Sequence, residues 1–239
     1  MADALITASG LTRYYESGEL RVAALDGVDL SIDRGAYVVL AGRSGSGKTT
    51  LLNMLGGLDR PDAGALSIAG EDMLAMGAAA RADFRLQHLG FVFQAYNLIR
   101  VLSARENVAY VLQLQGMNKK ARFELADRWL AEVGLKGFEH RRPDQMSGGQ
   151  QQRVAVARAL AANPDLVLAD EPTANLDSHT GEALMDLMRR LNAEQGTTFV
   201  IASHDPAVIA SARTLITMQD GQVESVKTES VKTESLKTE

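Results

Sequence analysis

GRSGSGKT, residues 42–49, is the stretch that decides the fold. It follows the apolar run YVVLA (37–41) and leads into the helix-forming TLLNML (50–55). A buried strand, a glycine loop and Lys-Thr at a helix start together cradle the phosphates of a nucleoside triphosphate. Gly42, Gly45 and Gly47 let the backbone curl with its N–H groups inward, and Arg43, Ser44 and Ser46 complete the loop. Lys48 is placed to reach the β- and γ-phosphates, and the Thr49 hydroxyl can hold Mg²⁺. Thr50 belongs to the same nucleotide-binding run, at a helix end that itself carries partial positive charge.

Two further segments extend this chemistry. LVLAD (166–170) is an apolar strand ending in a carboxylate, followed at once by Glu171 and Pro172. Proline cannot continue a central strand, so both acids fall at its C-terminal edge, where open α/β sheets bind ligands. Asp170 is placed to orient the Mg²⁺ shell, and Glu171 to hold and deprotonate an attacking water. MSGGQQQR (146–153) opens a helical run; Ser147 can cap it while Gly148 and Gly149 leave backbone N–H groups open to an anion. Of the four histidines, His204 stands apart, because it follows FVIAS (199–203) at a strand end and suits a γ-phosphate contact. His88, His140 and His179 read as surface residues.

The remaining pattern is that of an α/β chain with an insertion. Residues up to about 33 read as strands and turns, with further short strands at 65–69 and 90–93. From about 95 to 160 the pattern turns helical: Ser103 is a candidate N-cap for 104–115, and 119–133 is rich in helix formers with Gly134 as its stop. Strands resume at 166–169 and 199–202, joined by a helical crossover over 181–192. Residues 224–239 repeat ESVKT, ESVKT, ESLKT. Apolar residues five apart turn by about 140° per repeat on a helix and alternate faces on a strand, so neither structure gathers them. This predicts a solvated tail.

Composition narrows the class. Of 239 residues 46% are hydrophobic and 23% charged, ample for a buried core. A net charge of −5 gives no long-range attraction to nucleic acid. The chain has no cysteine, which excludes disulfides and thiolate metal sites and fits a reducing cytoplasm. No run approaches the roughly 18 apolar residues of a membrane helix, and the first fifteen residues do not form a signal peptide. Work at a membrane would therefore need another chain to supply the span.

Together these motifs resemble the nucleotide-binding domain of ATP-binding cassette (ABC) transporters, over residues 1–223. MSGGQ is similar to that family's signature, and the loop at 42–49, LVLADEP, Asn175-Leu-Asp177 and Ser203-His-Asp205 follow in its order. The resemblance implies a P-loop NTPase core with a mainly parallel sheet, an N-terminal antiparallel β subdomain, and an inserted helical subdomain at about 95–160. It implies ATP and Mg²⁺ as cofactors, with Thr49, Gln94 and Asp170 at the metal. Lys48, Gln94, Glu171 and His204 would be the catalytic set, and Tyr15, ahead of Tyr14, would stack on adenine. It further implies a head-to-tail homodimer in which Ser147, Gly148, Gly149 and Gln150 of one copy close over the ATP held by Lys48 of the other. A separate membrane permease would hold this dimer peripherally at the cytoplasmic face of the membrane.

Within the family, GGLD (56–59), GFVFQ (90–94), residues 146–160 and NLDSHTG (175–181) look like the subgroup serving lipoprotein release and macrolide export. Thr173-Ala-Asn175 and Arg100-Val-Leu-Ser103 depart from that pattern, the second near the expected permease contact. The function implied is an ATPase driving export or membrane extraction of a cargo. The alternative is an ATP-switched clamp that signals through a membrane partner, as cell-division members do. Soluble DNA-repair or translation ATPases of the family carry long coiled coils or paired cassettes, and this chain carries neither.

Overall fold

The computed structural model describes residues 4–17 and 20–228. Its central sheet has six strands: β3 (Tyr37–Ala41), β6 (Leu89–Val92), β7 (Leu166–Asp170), β8 (Thr198–Ser203), β9 (Thr214–Gln219) and β10 (Gln222–Thr228). The spatial order is β10-β9-β3-β8-β7-β6, parallel throughout except for the β9–β10 hairpin. A second, antiparallel sheet has the order β2-β1-β4-β5, from β1 (Ala4–Ser17), β2 (Leu20–Asp33), β4 (Ala63–Ile68) and β5 (Glu71–Asp72).

The central strands are apolar without alternation because both of their faces are buried. Tyr37, Val39, Val167, Ala169, Phe199 and Ile201 enter one core, shared with the helical block. Val38, Leu40, Leu166, Leu168, Val200 and Ala202 enter the other, shared with the antiparallel sheet and with α1 (Lys48–Leu55). Successive residues of each strand thus feed opposite cores, as a period of two requires.

The helical block comprises α3 (Ala104–Leu114), α4 (Lys119–Glu132) and α5 (Gly148–Ala161). Ser103 caps α3 in a capping box with Glu106. Gly134, at φ 77°, follows the end of α4 in the left-handed region, where glycine is favoured. Arg105 clamps Asp127 through two bonds of 2.6 and 2.8 Å, tying α3 to α4. The fully buried Asn107 holds residues 99–103 against α3. It accepts the Ile99 N–H and donates to the carbonyls of Ile99, Leu102 and Ser103.

Among the elements outside the pattern read from sequence are β5 and β9, and two more have a plain physical reason. Helix α2 (Ala78–His88) buries only Phe84, so it lacks the apolar stripe that announces a helix. The tail expected to begin at 224 is the other: β10 runs to Thr228 and takes in the first ESVKT. Pairing with β9 holds it there (Val223 opposite Met218, Val226 opposite Ile216). An edge strand satisfied by its hydrogen-bond ladder needs no continuous apolar face, and Val226 remains 57% exposed. The later repeats, 229–239, lie outside the described residues. His88 also differs from a plain surface histidine: its Nδ1 lies 2.7 Å from Asp165 and its ring stacks on Phe84.

The packing of β6 on α5 leaves no room at Gly90. A Cβ there would lie 2.5 Å from the Ala159 carbonyl oxygen. Gly90→Val is expected to cost about 1–3 kcal/mol through overpacking, read as a lower urea midpoint. An unchanged midpoint would contradict the contact.

Candidate functional site

The phosphate loop is held in shape by contacts that only glycine permits. At Gly47, φ is 100° and a Cβ would lie 2.5 Å from the Ala24 carbonyl oxygen. At Gly42 a Cβ would sit 2.4 Å from the Met218 carbonyl oxygen and 2.5 Å from Ser46 Oγ. The Lys48 ammonium is buried and donates to the carbonyls of Gly42 (2.7 Å) and Arg43 (3.1 Å), so it lies curled over the loop. Ser46 Oγ is buried without a partner among the described residues.

The two acids leave the end of β7 in different ways. Asp170 Oδ1 accepts from the Thr49 hydroxyl at 3.2 Å. Burial, with help from the neighbouring Glu171 charge, pushes the Asp170 carboxyl above the usual range, against the opposing pull of Thr49 and Lys48. Glu171 turns sharply, with φ at 45°, and its N–H donates to the Ala202 carbonyl at 2.9 Å. Its Oε2 accepts from the Ser203 hydroxyl at 3.1 Å and its Oε1 lies 2.7 Å from His204 Nδ1. An ionised carboxylate only accepts, so Nδ1 carries the proton in this pair and Nε2 stays available. The left-handed turn at a non-glycine residue is thus fixed by Ala202 and Ser203 of β8 and by His204 just past its end.

A cavity of about 460 Å³ is lined by Tyr15, Ala24, residues 44–50, Gln94, Glu171 and His204. Of the residues singled out by sequence, Gly42, Arg43 and Asp170 support this cavity from outside its lining. Tyr14 is not in the lining; its ring lies under the Arg21 guanidinium at 3.9 Å. Ser147, Gly148, Gly149 and Gln150 are also outside it, at the start of α5. There Ser147 and Gln150 form a capping box that consumes the Gln150 N–H. A Cβ at Gly149 would lie 2.4 Å from the Thr180 methyl, and one at Gly148 would lie 2.7 Å from the Tyr96 hydroxyl.

Several residues join these pieces without having been read as functional. Gln152 on α5 is fully buried and donates to the Pro172 carbonyl at 2.8 Å, linking that helix to the chain after Glu171. Asn175 donates to the Gln94 carbonyl at 2.8 Å. Arg158 donates to the carbonyls of Tyr96 and Asn97, both in the left-handed region. Nothing local in the sequence marks these contacts, since the partners lie 20 to 81 residues apart.

Comparison with known proteins decides the family. A family model described as ABC transporter matches residues 25–174, from within β2 to past both acids. The chain belongs to the ABC transporter family. An AAA-domain model also matches residues 139–210. As an ABC cassette, the chain is an ATP-binding, ATP-hydrolysing subunit.

The lipoprotein-releasing system ATP-binding protein LolD of Chromohalobacter salexigens is 43% identical over 219 residues, 92% of each chain. The macrolide export ATP-binding/permease protein MacB of Chromobacterium violaceum is 46% identical over 93% of this chain. The match covers 34% of that relative, so this ABC chain spans about a third of its length. Among solved structures, the ATP-binding cassette MJ0796, a dimer bound to ADP and Pi in a post-hydrolysis state, superposes with a TM-score of 0.87. It is 40% identical, and the match covers 93% of this chain and 98% of that one.

Proposed function

We propose that this cassette powers export, or extraction of an apolar cargo from the membrane, through a separate permease chain. The observation that carries the reading is the division of the site. One cavity gathers Tyr15, residues 44–50, Gln94, Glu171 and His204, while Ser147, Gly148 and Gly149 at the start of α5 lie outside its lining. Two copies arranged head to tail complete both sites, with Ser147, Gly148 and Gly149 of one over the ATP of the other. The dimeric state of the related cassette supports this arrangement.

The residues present fit a magnesium ion. Asp170 and Thr49 already face each other at 3.2 Å, and a cation there would offset the cost that burial puts on the Asp170 charge. Among the described residues no group of three or more His, Asp or Glu could hold a metal by itself. Mg²⁺ suits such a site, because it keeps several waters and relies on one or two protein oxygens plus substrate phosphates. Thr49, Asp170 and Gln94 would hold it, and it would neutralise charge on the β- and γ-phosphates.

The chain's own groups do the rest. Tyr15 stacks on the adenine. The loop amides and Lys48 stabilise charge on the transferred phosphoryl group once Lys48 exchanges its loop carbonyls for phosphate oxygens. Glu171 orients the attacking water and takes its proton. His204, anchored through Nδ1 on Glu171, turns Nε2 toward the γ-phosphate and donates to it in the doubly protonated imidazolium form. Hydrolysis then loosens the two copies, and that change is passed to the partner.

No helix among the described residues is long and apolar enough to cross a membrane. The proposed seat of the permease is a groove of about 580 Å³ beside Gln94, lined by Tyr96, Leu98, Arg100 and Pro143 among others. Val101, 71% exposed, stands on the same loop as Leu98 and Arg100. On this reading the permease holds the chain peripherally at the cytoplasmic face. Capture of the chain from native membranes with Mg-ATP should bring down a permease with few membrane helices and a large outer domain. Val101→Glu should abolish that co-purification while ATP binding is retained. A partner with many helices and no outer domain would contradict the lipoprotein- or macrolide-type reading.

A further inference from the structure

The adenine end of the cavity contains a clamp that no motif accounts for. Tyr15 lies on β1 near the hairpin tip and is 40% exposed, a poor setting for a rigid stacking surface. Its hydroxyl donates to Asp59 Oδ2 at 2.9 Å. The Arg13 guanidinium lies over its ring, 4.9 Å from the centroid. Arg13 is itself held by Asp59 at 3.1 Å and Asp62 at 3.3 Å. Asp62 also accepts the Tyr14 N–H at 2.7 Å, and its own N–H donates to the Thr12 carbonyl at 2.8 Å. A segment of β1 is thereby stitched to residues 59–62.

The place of Asp59 in the chain gives the clamp its meaning. It follows α1, whose first residues are Lys48 and Thr49 of the phosphate site. The same short helix thus carries the phosphate site at its start and, just past its end, the anchor of Tyr15. Arg13 lies over one face of a ring that also lines the cavity. A ring fixed at both hydroxyl and face costs less entropy to stack than one free to swing. The Asp59 carboxyl is held below its ordinary range: burial pushes it up, but the Arg60 N–H, the Tyr15 hydroxyl and Arg13 outweigh it. Asp59 thus stays an ionised acceptor, the stronger kind for the Tyr15 hydroxyl.

We propose that Arg13 and Asp59 are positioning residues for the nucleobase, fixing Tyr15 at a set distance from the phosphate loop. This rests on the reading of Tyr15 as the adenine-stacking residue. The test compares dissociation constants for Mg-ATP and for inorganic tripolyphosphate, which has phosphates but no base. Tyr15→Phe, which keeps the ring and loses the anchor, and Asp59→Ala should each weaken ATP binding about 3- to 10-fold. Tripolyphosphate binding should stay as in the unaltered protein, and Asp59→Ala should add nothing in a Tyr15→Ala background. If Tyr15→Ala leaves ATP binding unchanged, the adenine reading itself fails. If Tyr15→Ala weakens it while Tyr15→Phe and Asp59→Ala do not, stacking stands and the clamp is overturned. Equal weakening of ATP and tripolyphosphate by Asp59→Ala would also overturn it, as a general disturbance of the phosphate site.

Discussion

Glu171→Gln is expected to lower ATP turnover by about 10²–10⁴-fold, the range set by loss of a positioned general base. The amide is nearly isosteric, so the turn at φ 45° and its N–H bond to Ala202 remain. Its oxygen can still accept from Ser203 or from His204. What disappears is the capacity to take a proton from water, while ATP binding is kept. The variant should therefore accumulate in the ATP-bound, closed dimer. Steady-state phosphate release and retention of nucleotide after rapid gel filtration measure the two effects. Turnover near that of the unaltered protein would remove Glu171 from the role of base.

The second large effect is expected at Lys48. Lys48→Ala should reduce turnover by about 10²–10³-fold, the scale for deleting one preorganised donor from a charge-stabilising site. Unlike Glu171→Gln, it should also weaken Mg-ATP binding, because the ammonium supplies charge in the ground state as well. The two variants thus separate by nucleotide affinity. Removing Lys48 also deletes the bonds that close Gly42 and Arg43 onto the helix start. Part of the loss in affinity will come from a loosened loop, and Lys48→Met, which keeps most of the aliphatic stem, should recover little. A Lys48→Ala protein with undiminished ATP affinity would contradict the cradle.

The elements legible in the sequence are those whose chemistry is consecutive. The phosphate loop, the acids at the end of β7 and the capped start of α5 each occupy fewer than ten adjacent residues and obey local rules. The structure places the loop, Glu171 and His204 on one cavity. Long-range geometry was not legible. Tyr15 and Asp59 are 44 residues apart, and His88 and Asp165 are 77 apart. Such pairs leave no periodic trace, because only the folded sheet brings them together. Helix α2 escaped for the opposite reason, having too little buried surface to imprint a pattern. The sequence pattern makes the first ESVKT look solvated, because side-chain patterning is blind to an edge strand held by its backbone ladder.

The central claim is that ATP joins two copies, each site being completed by the other's α5. Its most direct test is the mass of Glu171→Gln by light scattering, without nucleotide, with ADP and with Mg-ATP. A monomer in the first two conditions and a dimer with ATP is predicted. Ser147→Arg in the same protein should return the ATP-bound form to a monomer that still binds nucleotide. A protein that stays monomeric at saturating ATP, or a dimer indifferent to Ser147→Arg, would contradict the account.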